Sequence, residues 1–291
     1  MKTTEVLNAM RGTFPGTGQA WLVDDMPDRE YHDGDGLSSS DVKLLAKNPQ
    51  AWAYRQEHGH ADSPQMAFGR LAHTLVLEPH KFEEQYVVVD ASTRNTKAYK
   101  EAVNNNVNKA VVLKSDVQRA QGIQFAVYAC KQINFAEIKD NSKVEASGFW
   151  YEGDLLCKFR PDLMEFDTGC RAGPEALWDL KTTTDASPEA FQHQVIRYAY
   201  HASAAWYLRG ANKVLGNAPR RFYWIAVEKD APHAVQVYEA TTELLEAGLH
   251  VCKRGIANYR DCQQTRTYPA YATEVLSMGL PAYLKPKLEE Q

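Results

Sequence analysis

At residue 143 the chain changes period. Before it, apolar residues recur at helical spacing. From "KVEASGFWYEGDLLCKFRPDLMEF" onward they alternate, as in strands that join a two-faced sheet. Glu152-Gly153-Asp154 reads as a tight turn between two strands, "DTGCRAGPE" as a loop, and "ALWDLKTTT" as a third strand. "SPEAFQHQVIRYAYHASAAWYLRG" follows as one long helix, capped at Ser187, with Pro188 in its first turn and Gly210 past its end. "RFYWIAVEK" and "HAVQVYEA" add two strands, and "TTELLEAGLHVCKRGIANYRDC" a last amphipathic helix. This order of elements predicts an α/β fold with a central mixed β-sheet flanked by helices.

Upstream, "LSSSDVKLLAKNPQAWAYRQEH" has serine caps and a helix broken at Pro49, and "SPQMAFGRLAHTLVLEP" is a second helix from Ser63-Pro64 to Pro79. Two polar helices are expected around 93–108 and 115–130. Residues 1–36, rich in Gly, Pro and Asp, read as a loop-rich arm, and 37–291 as one domain. "GTFPGTGQ" lacks the G-K-[ST] ending of a phosphate loop, so no nucleotide cofactor is expected. The first residues carry no long apolar run, and no run elsewhere would span a bilayer. Five cysteines without a C-x-x-C pair suit free thiols in a reducing cytoplasm and argue against an iron–sulfur cluster. A net charge of −4 weighs mildly against a general nucleic-acid binder, yet permits a carboxylate–metal site that encloses its substrate.

Chemistry concentrates in "FRPDLM" and "WDLKTTT". Asp179 and Lys181, two apart in a strand, project from one face, and Asp162 on the neighbouring strand reaches the same place. Two carboxylates and a lysine suit Mg²⁺ (with Mn²⁺ as a substitute) and a water to be activated, and the Leu180 carbonyl lies between as a further hard oxygen. Thr182 and Thr183 fit either a phosphate contact or the turn into the next helix. Glu145 fits a second-metal or water-orienting role and, equally, an exposed strand carboxylate. Glu78 fits a supporting place at the same site and, better, a structural one at a helix end. For a nucleic-acid substrate, Arg160, Lys158, Arg94, Lys97 and Arg197 would be the candidates for its backbone, Arg160 foremost. Trp52, Tyr54 and Trp206 fit the core better than a place between bases.

"RPDLM…WDLKTTT" resembles the PD-(D/E)XK nuclease motif. With "SSSDVKLLAKNPQAWAY", "FGRLAHTLVLEP", "VEASGFW", "WDLKTTTDASPEAFQ", "YHASAAWY" and "LPAYL" in order, the chain resembles the RecE (exonuclease VIII) type of phage recombination exonuclease, related to the RecB nuclease domain. The resemblance implies a restriction-endonuclease-like core and adds His73 as a metal ligand beside Asp162 and Asp179, although imidazole is an unusual partner for magnesium. It implies an ATP-independent, phage- or prophage-encoded exonuclease in the bacterial cytoplasm. Such an enzyme would digest linear double-stranded DNA 5′→3′, leave 3′ single-stranded tails, work beside a RecT-like annealing protein and form a ring of three or four subunits. Lys181 would orient or deprotonate the attacking water. One position departs from the family: Tyr207 stands where the tyrosine of a Gln-x-x-x-Tyr motif belongs, but Ser203 replaces the glutamine. Gln192, on about the same face of the predicted helix, is a candidate DNA contact, whereas Gln194-x-x-x-Tyr198 repeats the spacing on another face. A structure- or sequence-specific endonuclease and a non-catalytic DNA-binding module are the alternatives.

Overall fold

The computed structural model describes residues 20–59, 63–166, 174–216, 221–272 and 274–280. Cys170, the glycine-rich opening stretch and residues 281–284 of "LPAYL" lie outside these.

In chain order the elements are β1 (Ala20–Val23), α1 (Asp28–Asp33), α2 (Ser39–Lys47), α3 (Pro49–His58), α4 (Pro64–Leu77), α5 (Phe82–Gln85), β2 (Tyr86–Val89), α6 (Lys97–Asn105), β3 (Ala110–Leu113), α7 (Lys114–Tyr128) and α8 (Phe135–Asp140). After them come β4 (Ser142–Val144), β5 (Ser147–Glu152), β6 (Leu155–Phe159), β7 (Leu163–Phe166), β8 (Pro174–Thr183), α9 (Pro188–Arg197), α10 (Tyr200–Leu215), β9 (Arg221–Glu228), β10 (Val235–Glu239) and α11 (Thr242–Thr265). Local chemistry sets several boundaries. Ser38 and Asp41 cap α2 reciprocally, Asn48 caps α3 ahead of Pro49, and Ser63 caps α4 ahead of Pro64.

Among the described residues the main sheet runs β10-β9-β8-β7-β4. β8 and β9 are parallel and joined through α9 and α10, while the other pairs are antiparallel. The mixed sheet is therefore the expected one, but the meander divides between two sheets. β5 and β6 form the hairpin at Gly153 and pair with β1 as a separate sheet, and β4 and β7 join the main one. β2 and β3, short segments between helices, pair in parallel where the sequence suggested no strands.

The sheet buries both faces. Ala176, Trp178 and Leu180 of β8 pack with Phe68, Leu71 and Leu75 of α4 and with Ala120 and Ile123 of α7. Leu177, one step out of phase, packs on the other side with Leu45, Phe191, Ala202 and Trp206. On that side α11 lies against α2 and α10 at two glycines. A Cβ at Gly255 would enter the Val42 carbonyl, and one at Gly248 the His201 carbonyl. This backbone-to-backbone approach fixes where the outer face of α2 points.

Two further expectations change. Residues 20–36 hold a strand and a helix, with Val23, Met26 and Tyr31 buried against Phe149. The long helix after β8 is two helices: Ala199 adopts a left-handed backbone (φ 51°), ending α9 and re-aiming α10. Gln192 and Ser203 therefore do not share a helix face. Among the described residues, Cys130, Cys157, Cys252 and Cys262 are free thiols. No helix there is long and apolar enough to cross a membrane.

Candidate active site

The site forms where β8 outruns β7. Leu163 is the first residue of β7 and faces Trp178, so β8 from Asp179 onward has no partner on that edge. Pro161, next in line to face Leu180, has no N–H to extend the ladder. The two backbone groups of Leu180 are taken up by side chains instead. Its N–H donates to Asp162 Oδ2 at 2.5 Å, and its carbonyl accepts from His73 Nε2 at 2.8 Å. His73 arrives from α4, which crosses the end of β8 close enough that a Cβ on Gly69 would lie 3.9 Å from Thr182 Oγ1. The proline–aspartate pair thus has a local cause: proline stops the sheet, and aspartate occupies the opening.

Asp179 and Lys181 share the parity of Leu177 and project toward α10. Lys181 Nζ lies 2.6 Å from Asp179 Oδ2 and 5.3 Å from the centre of the Tyr200 ring. This ion pair buries Asp179 Oδ2 against the ammonium. Burial opposes the Lys181 charge, but the carboxylates of Asp179 and Asp162 outweigh it and hold the ammonium above the ordinary lysine range. Burial raises the Asp162 carboxyl; His73 offsets part of this and Asp179 adds to it.

Glu145 completes the cluster. It follows β4, takes a positive φ of 50°, and donates its N–H to the Asp162 carbonyl at 3.0 Å. Burial first, then the Asp162 charge, push its carboxyl well above the usual range. Ligand atoms of His73, Glu145 and Asp162 all lie within 4.8 Å of one another. With Nε2 donating to Leu180, the other ring nitrogen of His73, Nδ1, faces Asp162 Oδ2 at 3.5 Å. A ring nitrogen and a carboxylate oxygen so placed can share a cation. That arrangement and the crowded carboxyls of Asp162 and Glu145 fit a divalent metal held by imidazole and carboxylates.

Other expected residues go elsewhere. Lys158 is buried, and its ammonium donates to the carbonyls of Tyr31 (2.7 Å) and Gly34 (2.5 Å) at the C-terminal end of α1. Arg160 is also buried. It donates to Ser147 Oγ (2.8 Å) and the Met26 carbonyl (3.0 Å), and lies over the Tyr31 ring. Both charges are spent on holding residues 20–36, not presented to DNA. Arg160→Met is accordingly expected to lower stability by on the order of 2 kcal/mol, since it strands a buried hydroxyl and a carbonyl. The readout is a lower urea midpoint together with retained DNA binding in the folded fraction.

Arg94 pairs with Asp116 and Lys97 with Glu101, while Glu78 closes α4 and pairs with Lys81. Arg197 is exposed and lies beside the Tyr198 ring. Thr183 shapes the turn: its hydroxyl donates to the Asp185 carbonyl and accepts from Gln194 Nε2 at 2.7 Å. Thr182 is half-buried beside α4. Gln192 is exposed on α9. Trp52 and Trp206 are core residues, and Tyr54 is exposed. Tyr207 accepts from Ser39 Oγ at 3.4 Å. One residue unmarked by the sequence stands at the site. Lys43 of α2 donates to Ser203 Oγ at 2.9 Å, and burial and the Lys181 charge push its ammonium down to about 8.

Residues 37–278 match the model of a family described as a PDDEXK-like domain of unknown function (DUF3799). The chain belongs to this family. DUF3799 thereby carries the PD-(D/E)XK nuclease fold, which the mixed sheet and its flanking helices show directly. The chain is similar in structure to a candidate exonuclease from Eubacterium rectale, with a TM-score of 0.59 at 12% identity over 90% of this chain and 98% of that one. A phage-related exonuclease from Haemophilus somnus matches at a TM-score of 0.34 and 9% identity, over 80% of this chain and 97% of that one, too distant to add to the fold. No curated protein sequence matches.

Proposed function

We propose that this DUF3799 chain is a metal-dependent, ATP-independent DNA exonuclease of the RecE type. Its substrate would be linear duplex DNA, digested 5′→3′ to leave 3′ tails for recombination by strand annealing. A RecT-like annealing protein and a trimeric or tetrameric ring belong to the same proposal. The observation that carries the nuclease reading is the meeting of His73 and Asp162 at the unpaired edge of β8, with the Asp179–Lys181 ion pair projecting from the same strand end and its charges acting on Asp162.

His73, Asp162, Asp179 and the Leu180 carbonyl would hold Mg²⁺, with Glu145 in reach of a second ion. When bound, the metal supplies a Lewis acid for a phosphoryl oxygen and lowers the pKa of a water. The chain's own residues do the rest. Lys181 stays charged because two carboxylates surround it, so it is a poor base. Its ammonium orients the attacking water and neutralises charge developing on the phosphoryl oxygens. Asp162 couples two tasks, since the oxygen that faces His73 also holds the Leu180 N–H. A shift of either residue moves the other.

The test is digestion of linear duplex labelled separately at its 5′ and 3′ ends, with and without Mg²⁺. Early release of 5′ label as mononucleotide, only with Mg²⁺, is the expected result. Cutting of a covalently closed circle would replace the exonuclease with an endonuclease. Absence of any cutting by the folded protein would remove the enzyme altogether.

A further inference from the structure

The position that lacks the family's glutamine is not vacant. Ser203 lies on the face of α10 that also carries Tyr200 and Tyr207, at helical spacings of three and four. Tyr200 lies near Lys181. Against this face runs α2, antiparallel to it, with two rungs between the helices: Ser39 to Tyr207, and Lys43 to Ser203 at 2.9 Å. Ser39 and Lys43 are four apart, as are Ser203 and Tyr207. The glycine contacts of α11 hold α2 in this register.

Lys43 is an odd occupant for a packing position. Among the described residues no carboxylate pairs with its ammonium, and its hydrogen-bond partner there is a hydroxyl. The charges it feels most are Lys181, a like charge, and Asp179. Packing alone would be met better by methionine or leucine, without like-charge repulsion or the cost of covering an ammonium. An anion at the mouth of the site would compensate both. In a nuclease that anion is a phosphate of the strand being cut.

We propose that Lys43, seated on Ser203, is a DNA-binding residue that contacts a backbone phosphate next to the scissile one. The proposal rests on the nuclease reading above. Ser203 is its support: a glutamine there would occupy the space that the lysine head now fills, so the small hydroxyl and the lysine belong together.

The experiment compares wild type, Lys43→Met and Lys43→Arg. Duplex binding is measured in EDTA, so that the DNA stays intact, across a range of salt concentrations. Turnover of linear duplex is then measured with Mg²⁺. Methionine keeps the length and apolar stem of the side chain, and thermal melting confirms the fold. Loss of one phosphate contact is expected to lower the slope of log affinity against log salt by about 0.9. KM for DNA should rise about tenfold and kcat fall less than threefold, with Lys43→Arg restoring both slope and KM. An unchanged slope in a folded Lys43→Met protein that still cuts DNA overturns the proposal and leaves the nuclease reading standing. A wild-type protein that neither binds nor cuts DNA removes both.

Discussion

Lys181→Met is expected to reduce DNA hydrolysis by about 10²- to 10³-fold in kcat, the usual loss when one preorganised charge or donor is removed from a developing oxyanion. The size follows from where the ammonium stands. It is held charged above the ordinary lysine range by Asp179 and Asp162, so its contribution is a fixed positive charge and not a proton exchanged in each cycle. Two further results should follow. The pH profile of the residual activity should keep its acid limb, which the carboxyls set, because Lys181 does not titrate in that range. Cation affinity should be retained or increased, since the metal no longer competes with an ammonium 2.6 Å from Asp179 Oδ2. A drop of less than threefold in kcat would show that Lys181 is an ion-pair partner only.

That pattern was legible in part from residue spacing. Alternation in "WDLKTTT" gave Asp179 and Lys181 a common face, and β8 has it. Asp162 was placed near them, but its hold on the Leu180 N–H depends on where β7 begins, a matter of register that no local pattern in "FRPDLM" encodes. His73 came only through family resemblance, because a histidine in an apolar helix has no distinctive spacing. Lys158 and Arg160 misled because basic residues beside a catalytic motif look like phosphate contacts. Their carbonyl and hydroxyl partners come from residues 26–34 and from Ser147, and the segment 20–36 looked like loop because "MPDREYHDGDG" is rich in turn formers. Lys43 was invisible for the opposite reason. Its meaning depends on Ser203, 160 residues away in sequence, and on the break at Ala199 that turns α10 toward the site.

Adding Mg²⁺ at about 100 times its dissociation constant is expected to stabilise the protein by about 2.7 kcal/mol, a rise in melting temperature on the order of 5 °C for a chain of this size. The effect should depend on pH in a stated direction. Asp162 and Glu145 have folded pKa values raised above their ordinary values of 3.8 and 4.5. A raised folded pKa means that their stabilising contribution is fully present below the ordinary value, where both folded and unfolded forms are protonated, and is lost as pH rises through the folded value. Without a divalent cation, stability attributable to this pair should therefore decline from about pH 4 toward neutrality. The metal takes the place of the missing protons, so its stabilisation should be largest near pH 8 and small near pH 4, where protons compete for the same oxygens. Asp162→Asn separates this from general ionic effects. The amide oxygen can still accept the Leu180 N–H, so the edge of β8 is kept, but the charge is gone. The variant should melt higher than wild type at pH 8 without metal and show little response to Mg²⁺. A wild-type melting temperature that ignores Mg²⁺ at every pH would remove the cation site, and an Asp162→Asn protein that responds as fully as wild type would place the cation away from Asp162.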